Sequence, residues 1–228
     1  MFKIARALPQ RADSEDTRKR IFDTALSLFR EQGFDATTIR EIAARTGLSL
    51  GAAYYYFPSK EAIVAAYYEH VQERHRELAQ AAFATTTTLK DRLRAAYHTK
   101  LDVMQDDQRL LRALFRYGGE PEHPLSWFGP ASRAQRDASM AVFAEAVEGE
   151  RLPDDVRLAA PVLLWTLHMG VLLYFLYDTS PNAQRTRRLV DAAVDFVVDV
   201  KRIATLPLMR PVRRRVLSVL KDAGLMAA

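Results

Sequence analysis

Residues 33–63 read GFDATTIREIAARTGLSLGAAYYYFPSKEAI, and this stretch decides the fold. Thr38, followed three residues later by Glu41, reads as a capping box. Ile39, Ile42 and Ala43 give the helix that follows an apolar side. Thr46-Gly47 ends it, because glycine accepts the left-handed backbone of a helix terminus. Ser49 caps a second short helix that runs to about Tyr56, and Phe57-Pro58-Ser59 breaks the pattern. Two short helices around a tight turn, propped by a longer first helix, are the layout of a helix-turn-helix DNA reader. Ala43 is small where the two helices must cross. The second helix must offer its N-terminal end to base edges.

Working outward, the first helix is expected at 14–32. Asp13 and Ser14 would cap it, Ile21, Ala25, Leu28 and Phe29 would form its apolar face, and Gly33 would stop it. Ser59 caps a long helix reaching about Ala84, and the run Thr85–Thr88 punctuates the chain. Further helical periods fall at 88–105, 107–118, 130–149, 154–178 and 182–205, with a last basic segment at 211–223. No stretch alternates as a strand would. The expected fold is all-α: an N-terminal three-helix reading head and a larger C-terminal helical domain. The expected divisions are an arm at 1–13, the head at 14–60, the helical domain at 61–206 and a basic amphipathic tail at 207–228.

The 228 residues carry a net charge of +5, unevenly distributed. Residues 1–60 hold 10 Lys/Arg against 7 Asp/Glu, residues 61–200 hold 16 against 20, and residues 201–228 hold 7 against 1. Basic ends suit polyanions. The chain has no cysteine, which excludes disulfides and thiolate metal sites and fits a reducing cytoplasm. No secretion signal is read at the start. Leu158–Tyr177 holds no charged residue over about the length that spans a bilayer. It contains Pro161, His168 and Gly170, and we read it as a buried core or oligomer helix rather than a membrane span. Phosphate loops, nucleophile elbows and metal-ligand spacing are missing from the sequence, so neither an enzyme nor a cofactor is expected.

The ordered set Gly33-Phe34, Thr37-Thr38-Ile39-Arg40-Glu41-Ile42-Ala43, Thr46-Gly47-Leu48-Ser49, Gly51, Tyr54-Tyr55-Tyr56-Phe57 and Ser59-Lys60-Glu61-Ala62-Ile63 resembles the signature of the tetracycline-repressor (TetR) family. Thr17-Arg18 and Ile21 fit its start. The resemblance covers about residues 14–65. Ala53 departs from it, since a bulkier apolar residue is commoner there. The resemblance implies DNA contacts from Thr37, Thr38, Arg40, Ser49, Leu50, Gly51, Ala52, Tyr54, Tyr55, Tyr56 and Lys60. Each suits the task chemically. Thr37 and Thr38 cap a helix whose N–H groups suit a phosphate. Arg40 can give guanine two parallel hydrogen bonds, and Leu50 can meet a thymine methyl. Three consecutive tyrosines cover too wide an arc for all to be buried; Tyr55 and Tyr56 are favoured for DNA, with Phe57 in the core. Lys60 matches the family's phosphate-binding lysine.

The resemblance also implies a homodimer built on the last two long helices, and release from operator DNA by a small molecule in the C-terminal domain. Aromatic and polar groups within the apolar helices are the candidate pocket residues: Tyr97, His98, Phe115, Trp127, Phe128, Trp165, His168 and Tyr174. Their character points to a hydrophobic effector. The expected function is a ligand-responsive regulator, most often a repressor in this family, with no membrane partner. The alternative is a DNA-bound adaptor whose basic tail recruits another protein. In that tail, Val212, Val216, Leu217, Val219 and Leu220 would pack on the body while Arg213, Arg214 and Arg215 face outward.

Overall fold

The computed structural model describes residues 11–226. Ten α-helices follow one another, with no strand among the described residues. The head comprises α1 (Arg11–Glu31), α2 (Ile39–Thr46) and α3 (Leu50–Tyr56). The body comprises α4 (Lys60–Phe83), α5 (Leu89–Met104), α6 (Gln108–Gly118), α7 (Arg133–Ala146), α8 (Asp154–Tyr177), α9 (Gln184–Ala204) and α10 (Arg210–Asp222). Single 3₁₀ turns precede α6, α7, α9 and α10.

Local chemistry sets most of these boundaries. Thr38, Ser49, Ser59 and Thr88 each accept a hydrogen bond from the backbone N–H three residues on, capping α2, α3, α4 and α5. Gly47 ends α2 at φ 70°. Its N–H donates to Ala44 O, and that of Leu48 donates to Ala43 O, which is a Schellman closure. The capping box is only half formed. Glu41 turns its carboxylate to the Gln32 amide instead of the Thr38 N–H. At the other end of the chain order, α1 begins at Arg11, so Asp13 and Ser14 lie inside its first turn rather than capping it. The Thr17 hydroxyl donates to Asp13 O there. Residues 1–10 of the expected arm lie outside the described residues.

One apolar cluster runs through head and body, from Ile21 to Val194. Ile63, Val64 and Tyr67, in the first two turns of α4, are buried in it together with Ile21, Leu28 and Phe29 of α1. The head is therefore packed onto α4, not hung from a linker. Burying side chains of this size stabilises by about 1.5–3 kcal/mol each relative to exposure. Opposed charges join α5 to α9: Lys90 meets Asp195 at 2.7 Å and Arg187 meets Asp102 at 2.7 Å.

The tail folds back as α10 against α8, where Leu220 joins Ala159 and Val162. Its faces differ from expectation. Arg213 is not outward: its Nε lies 2.8 Å from Asp155, and its Nη1 donates to the carbonyls of Ala204 and Leu206. The Arg213 hydrogen bond holds the Asp155 carboxyl below the usual range. Leu217 packs inward with Leu220, whereas Val212, Val216 and Val219 are exposed. The Arg213 clasp and Leu217–Leu220, rather than the valine stripe, meet the body.

Candidate DNA-reading face and ligand cavity

The head presents one continuous exposed surface from α2 and α3. Ala43 and Ala53 are both buried where these helices meet. Their small size allows the close crossing, and this accounts for the alanine at 53. Ser49, Leu50 and Gly51 are then exposed at the start of α3. Tyr55 is 82% exposed and Tyr54 48%, and Arg40 on α2 is also exposed. Tyr56 is half-buried, edge-on to Tyr55 at 5.2 Å, and Phe57 is buried. Thr38 is exposed and caps α2 with its hydroxyl. Ala52 is half-buried.

Two expected contacts sit differently. Thr37 is fully buried. Its hydroxyl donates to Gly33 O at 2.8 Å and accepts from Gln32, closing the α1–α2 loop. It shapes the face without reaching it. Lys60 is half-buried and its Nζ donates to Phe34 O at 2.7 Å and Asp35 O at 3.3 Å, lying 4.6 Å from the Phe34 ring centroid. It clasps the same loop to α4. Asp35 is further held by Arg116 and Tyr117 of α6, and the Tyr117 hydroxyl pulls its pKa down.

Within the body lies a cavity of about 190 Å³ between α4, α5, α6, α7 and α8. Phe115, Trp127, Trp165 and His168 line it. The other four sequence candidates are elsewhere. Tyr97 is buried in the core, donating to Leu164 O at 2.8 Å. His98 faces α9 and lies 3.1 Å from Asp191. Phe128 is 62% exposed, edge-on to Trp165. Tyr174 is exposed on the outer side of α8. Helical phase explains the last, since Val171 and Phe175 take the inward positions.

The cavity wall also holds groups not singled out from sequence: Tyr67, Tyr68 and Gln72 from α4, Lys100 from α5, and Gln135 and Arg136 from α7. Lys100 carried a signal in its spacing. It follows Leu93, Ala96 and Tyr97 on the buried face of α5. Burial pushes its ammonium down to about 8. Burial also pushes His75 down to about 3 and His168 well below the usual histidine range, with the Lys100 charge adding to both. His75 hydrogen-bonds Ala96 O through Nε2 and stacks parallel to His168 at 6.3 Å. Tyr68 is raised to about 12 by burial. The loop after α6 closes one side. Trp127 lies on Gly118, where a Cβ would fall 2.3 Å from the ring, and Arg136 Nη1 donates to Trp127 O at 2.7 Å.

Cavity and head share a bridge. The buried Tyr67 hydroxyl donates to Asp107 at 2.9 Å, and Asp107 accepts from Arg30 Nε of α1 at 2.6 Å.

A helical reading head with an exposed recognition helix, packed on a helical body with an internal cavity, defines a helix-turn-helix transcription regulator. The sequence profile of bacterial regulatory proteins of the tetR family matches residues 21–67, and that of the tetracyclin repressor-like C-terminal domain matches residues 92–213. The chain belongs to the TetR family. The transcriptional repressor KstR2 of Rhodococcus jostii is 29% identical over 136 residues, covering 54% of this chain and 67% of that protein. The regulator YuxN of Bacillus subtilis is 32% identical over 96 residues, 41% of this chain but only 31% of that protein. A TetR regulator from Nitrosomonas europaea superposes with a TM-score of 0.64 at 22% identity, covering 78% of this chain and 96% of its own. FadR of Thermus thermophilus, solved with lauroyl-CoA, gives 0.60 at 24%, covering 78% and 92%.

Proposed function

We propose that this protein is a ligand-responsive transcriptional repressor that binds operator DNA as a homodimer and is released by a small, largely apolar effector. The carrying observation is the Tyr67–Asp107–Arg30 bridge, because one end lines the cavity and the other holds the first helix of the reading head. A ligand that displaces Tyr67 thereby acts on the head. The relative KstR2, itself a transcriptional repressor, supports the repressor sense.

Dimerisation is supported by the outer faces of α8 and α9. Leu163, Tyr174 and Tyr177 on α8 and Phe196, Val200 and Ile203 on α9 are exposed together. Gly170 opens between them with nothing within 4 Å, which permits close helix approach. A second copy on a two-fold axis covers such a patch with itself, and two heads then read two half-sites. The uncharged run 158–177 serves this interface and the core, since Val162, Leu164, Trp165 and Phe175 of the same helix are buried. The DNA contacts are assigned to Thr38, Arg40, Ser49, Leu50, Gly51, Tyr54 and Tyr55, with Lys60 positioning the loop. The setting is the cytoplasm, where operator DNA is met.

Selection of binding sites from a random duplex pool tests this. A two-fold symmetric site should be enriched. Arg40→Ala should relax preference at one base pair at a cost of about 1–3 kcal/mol, and Phe196→Glu should yield monomers by sedimentation. A pool that never enriches, even at low salt, would overturn the proposal.

A further inference from the structure

The cavity wall has an unusual charge pattern. It carries two cations, Lys100 and Arg136, and no carboxylate. Arg136 has an explanation, since it holds the carbonyls of Trp127 and Gly129 and so secures the loop. Lys100 does not. It is only 7% exposed, and its single protein partner is Gln72 Oε1 at 3.0 Å. An ammonium has three donors, and a buried cation is ordinarily matched by an anion.

Its neighbours are also short of partners. Gln72 gives its oxygen to Lys100, which leaves the buried Nε2 amide with no hydrogen-bond partner. His168 is 2% exposed, and its Nδ1 has none either. Both line the cavity. Under-satisfied polar groups from α4, α5 and α8 therefore face one cavity, and burial beside a lysine keeps both histidines neutral. Most of the remaining wall is apolar, with Leu111, Phe115, Trp127, Trp165, Met169 and Leu172, and its other polar groups, Tyr67, Tyr68, Ser132, Gln135 and Ser139, are uncharged. The volume of about 190 Å³ exceeds the ~150 Å³ that holds a benzene ring.

Resting on the reading of this cavity as the effector site, we infer that its ligand is a small organic monoanion. Its apolar ring or short chain fills the space against Trp165 and Phe115, and its carboxylate seats among Lys100, Gln72 and His168. One cation matches one negative charge. The carboxylate accepts from the ammonium and from the free amide N–H, which satisfies groups that are otherwise buried without partners. An uncharged analogue of the same shape would leave Lys100 unmatched.

The test uses the full-length protein with phenylacetate and octanoate as probes, each beside its carboxamide. The chain has two tryptophans, and both line this cavity, so intrinsic fluorescence reports binding directly, with calorimetry as a second readout. At least one acid should bind saturably, and its amide should bind at least tenfold more weakly. Lys100→Met should weaken the acid at least tenfold and leave the amide unchanged. Gln72→Glu, which supplies Lys100 with an internal partner, should exclude the acid in the same way if Lys100→Met fails to fold. Equal affinity for acid and amide, an unaltered acid affinity in the variant that folds, or no saturable binding by either acid would overturn the inference. DNA binding separates the two readings. If an uncharged compound alone releases the operator, the anion inference falls and the repressor stands. If an acid binds here yet no DNA is recognised, the reverse holds.

Discussion

Tyr67→Phe removes one oxygen atom from the bridge between cavity and head and leaves the ring in place. Tyr67 is 2% exposed, and its hydroxyl donates at 2.9 Å to an Asp107 carboxylate that is itself 5% exposed. A hydrogen bond to a charged group contributes about 1.5–3 kcal/mol. Asp107 keeps its Arg30 partner in this variant, so a loss of about 1–2 kcal/mol is expected. Arg30→Ala should cost no more than about 1 kcal/mol, because the Arg30 side chain is 46% exposed and the pair is screened. Removing both donors strands a buried carboxylate, and the double variant should lose more than the two single losses together, by at least about 0.5 kcal/mol. The measurement is guanidinium unfolding followed by tryptophan fluorescence, at one protomer concentration because the proposed dimer would contribute to stability. Losses that add within about 0.3 kcal/mol would mean that the two bonds act separately, and the bridge could not carry strain from cavity to head.

Gly118→Ala places a methyl group within 2.3 Å of Trp127, so the ring must leave the cavity wall. Red-shifted emission and a stability loss of about 1–3 kcal/mol should follow, and unchanged emission would contradict the packing. Lys60→Met keeps the stem against Phe34 but loses both carbonyl contacts. It should cost about 1–2 kcal/mol and weaken binding to all DNA sequences alike, whereas wild-type stability would show that the clasp is idle. The buried lysine sets an alkaline trend. Lys100 titrates near 8 when folded and near 10.4 when unfolded, so the unfolded chain binds more protons between these values and stability rises with pH across them. Relative to Lys100→Met, the wild type should gain roughly 1–3 kcal/mol from pH 8 to pH 10.5, and a flat difference in urea unfolding would refute the buried charge. The acid side follows the same sign. His75 titrates near 3 folded against about 6.5 unfolded, so stability is lost as pH falls from 6.5, and His75→Asn should blunt that loss.

The head was legible in the sequence because its signals are local. A hydroxyl three residues before its amide, and a glycine at the end of a turn, act within one helical turn, and Thr38, Gly47, Ser49 and Ser59 each do what their spacing predicts. The all-α architecture and the long helices were legible for the same reason. The cavity was not, because its wall comes from five helices and a loop that meet only in three dimensions. Phe115, Trp127, Trp165 and His168 could be proposed as apolar or solitary residues, but Tyr97 and Tyr174 look the same by composition and differ only in phase. Thr37 and Lys60 show another limit. Residue type suits them to phosphate, and in the structure both donate to nearby carbonyls, which composition does not foretell. Arg213 is expected to face outward because nothing in its own helix foretells Asp155, 58 positions earlier.

One helix carries both halves of the proposed mechanism. Lys60 at the start of α4 clasps the loop between α1 and α2, while Tyr67, Val71 and Gln72 on the same helix line the cavity. Lys60 and Gln72 are separated by about 18 Å of helix rise. Ile63, Val64 and Tyr67 lock the intervening turns into the shared core. On the proposed mechanism a displacement at Gln72 would be passed along α4, because packed interiors shift between discrete arrangements instead of deforming smoothly. The inferred ligand would make its strongest contact beside Gln72 and Lys100, halfway along α4 from the reading head. In the proposed mechanism, a coupling of about 1–3 kcal/mol, enough for a 5–150-fold change in operator affinity, requires only that ligand-bound and DNA-bound arrangements of α4 differ by one such buried, charge-assisted hydrogen bond.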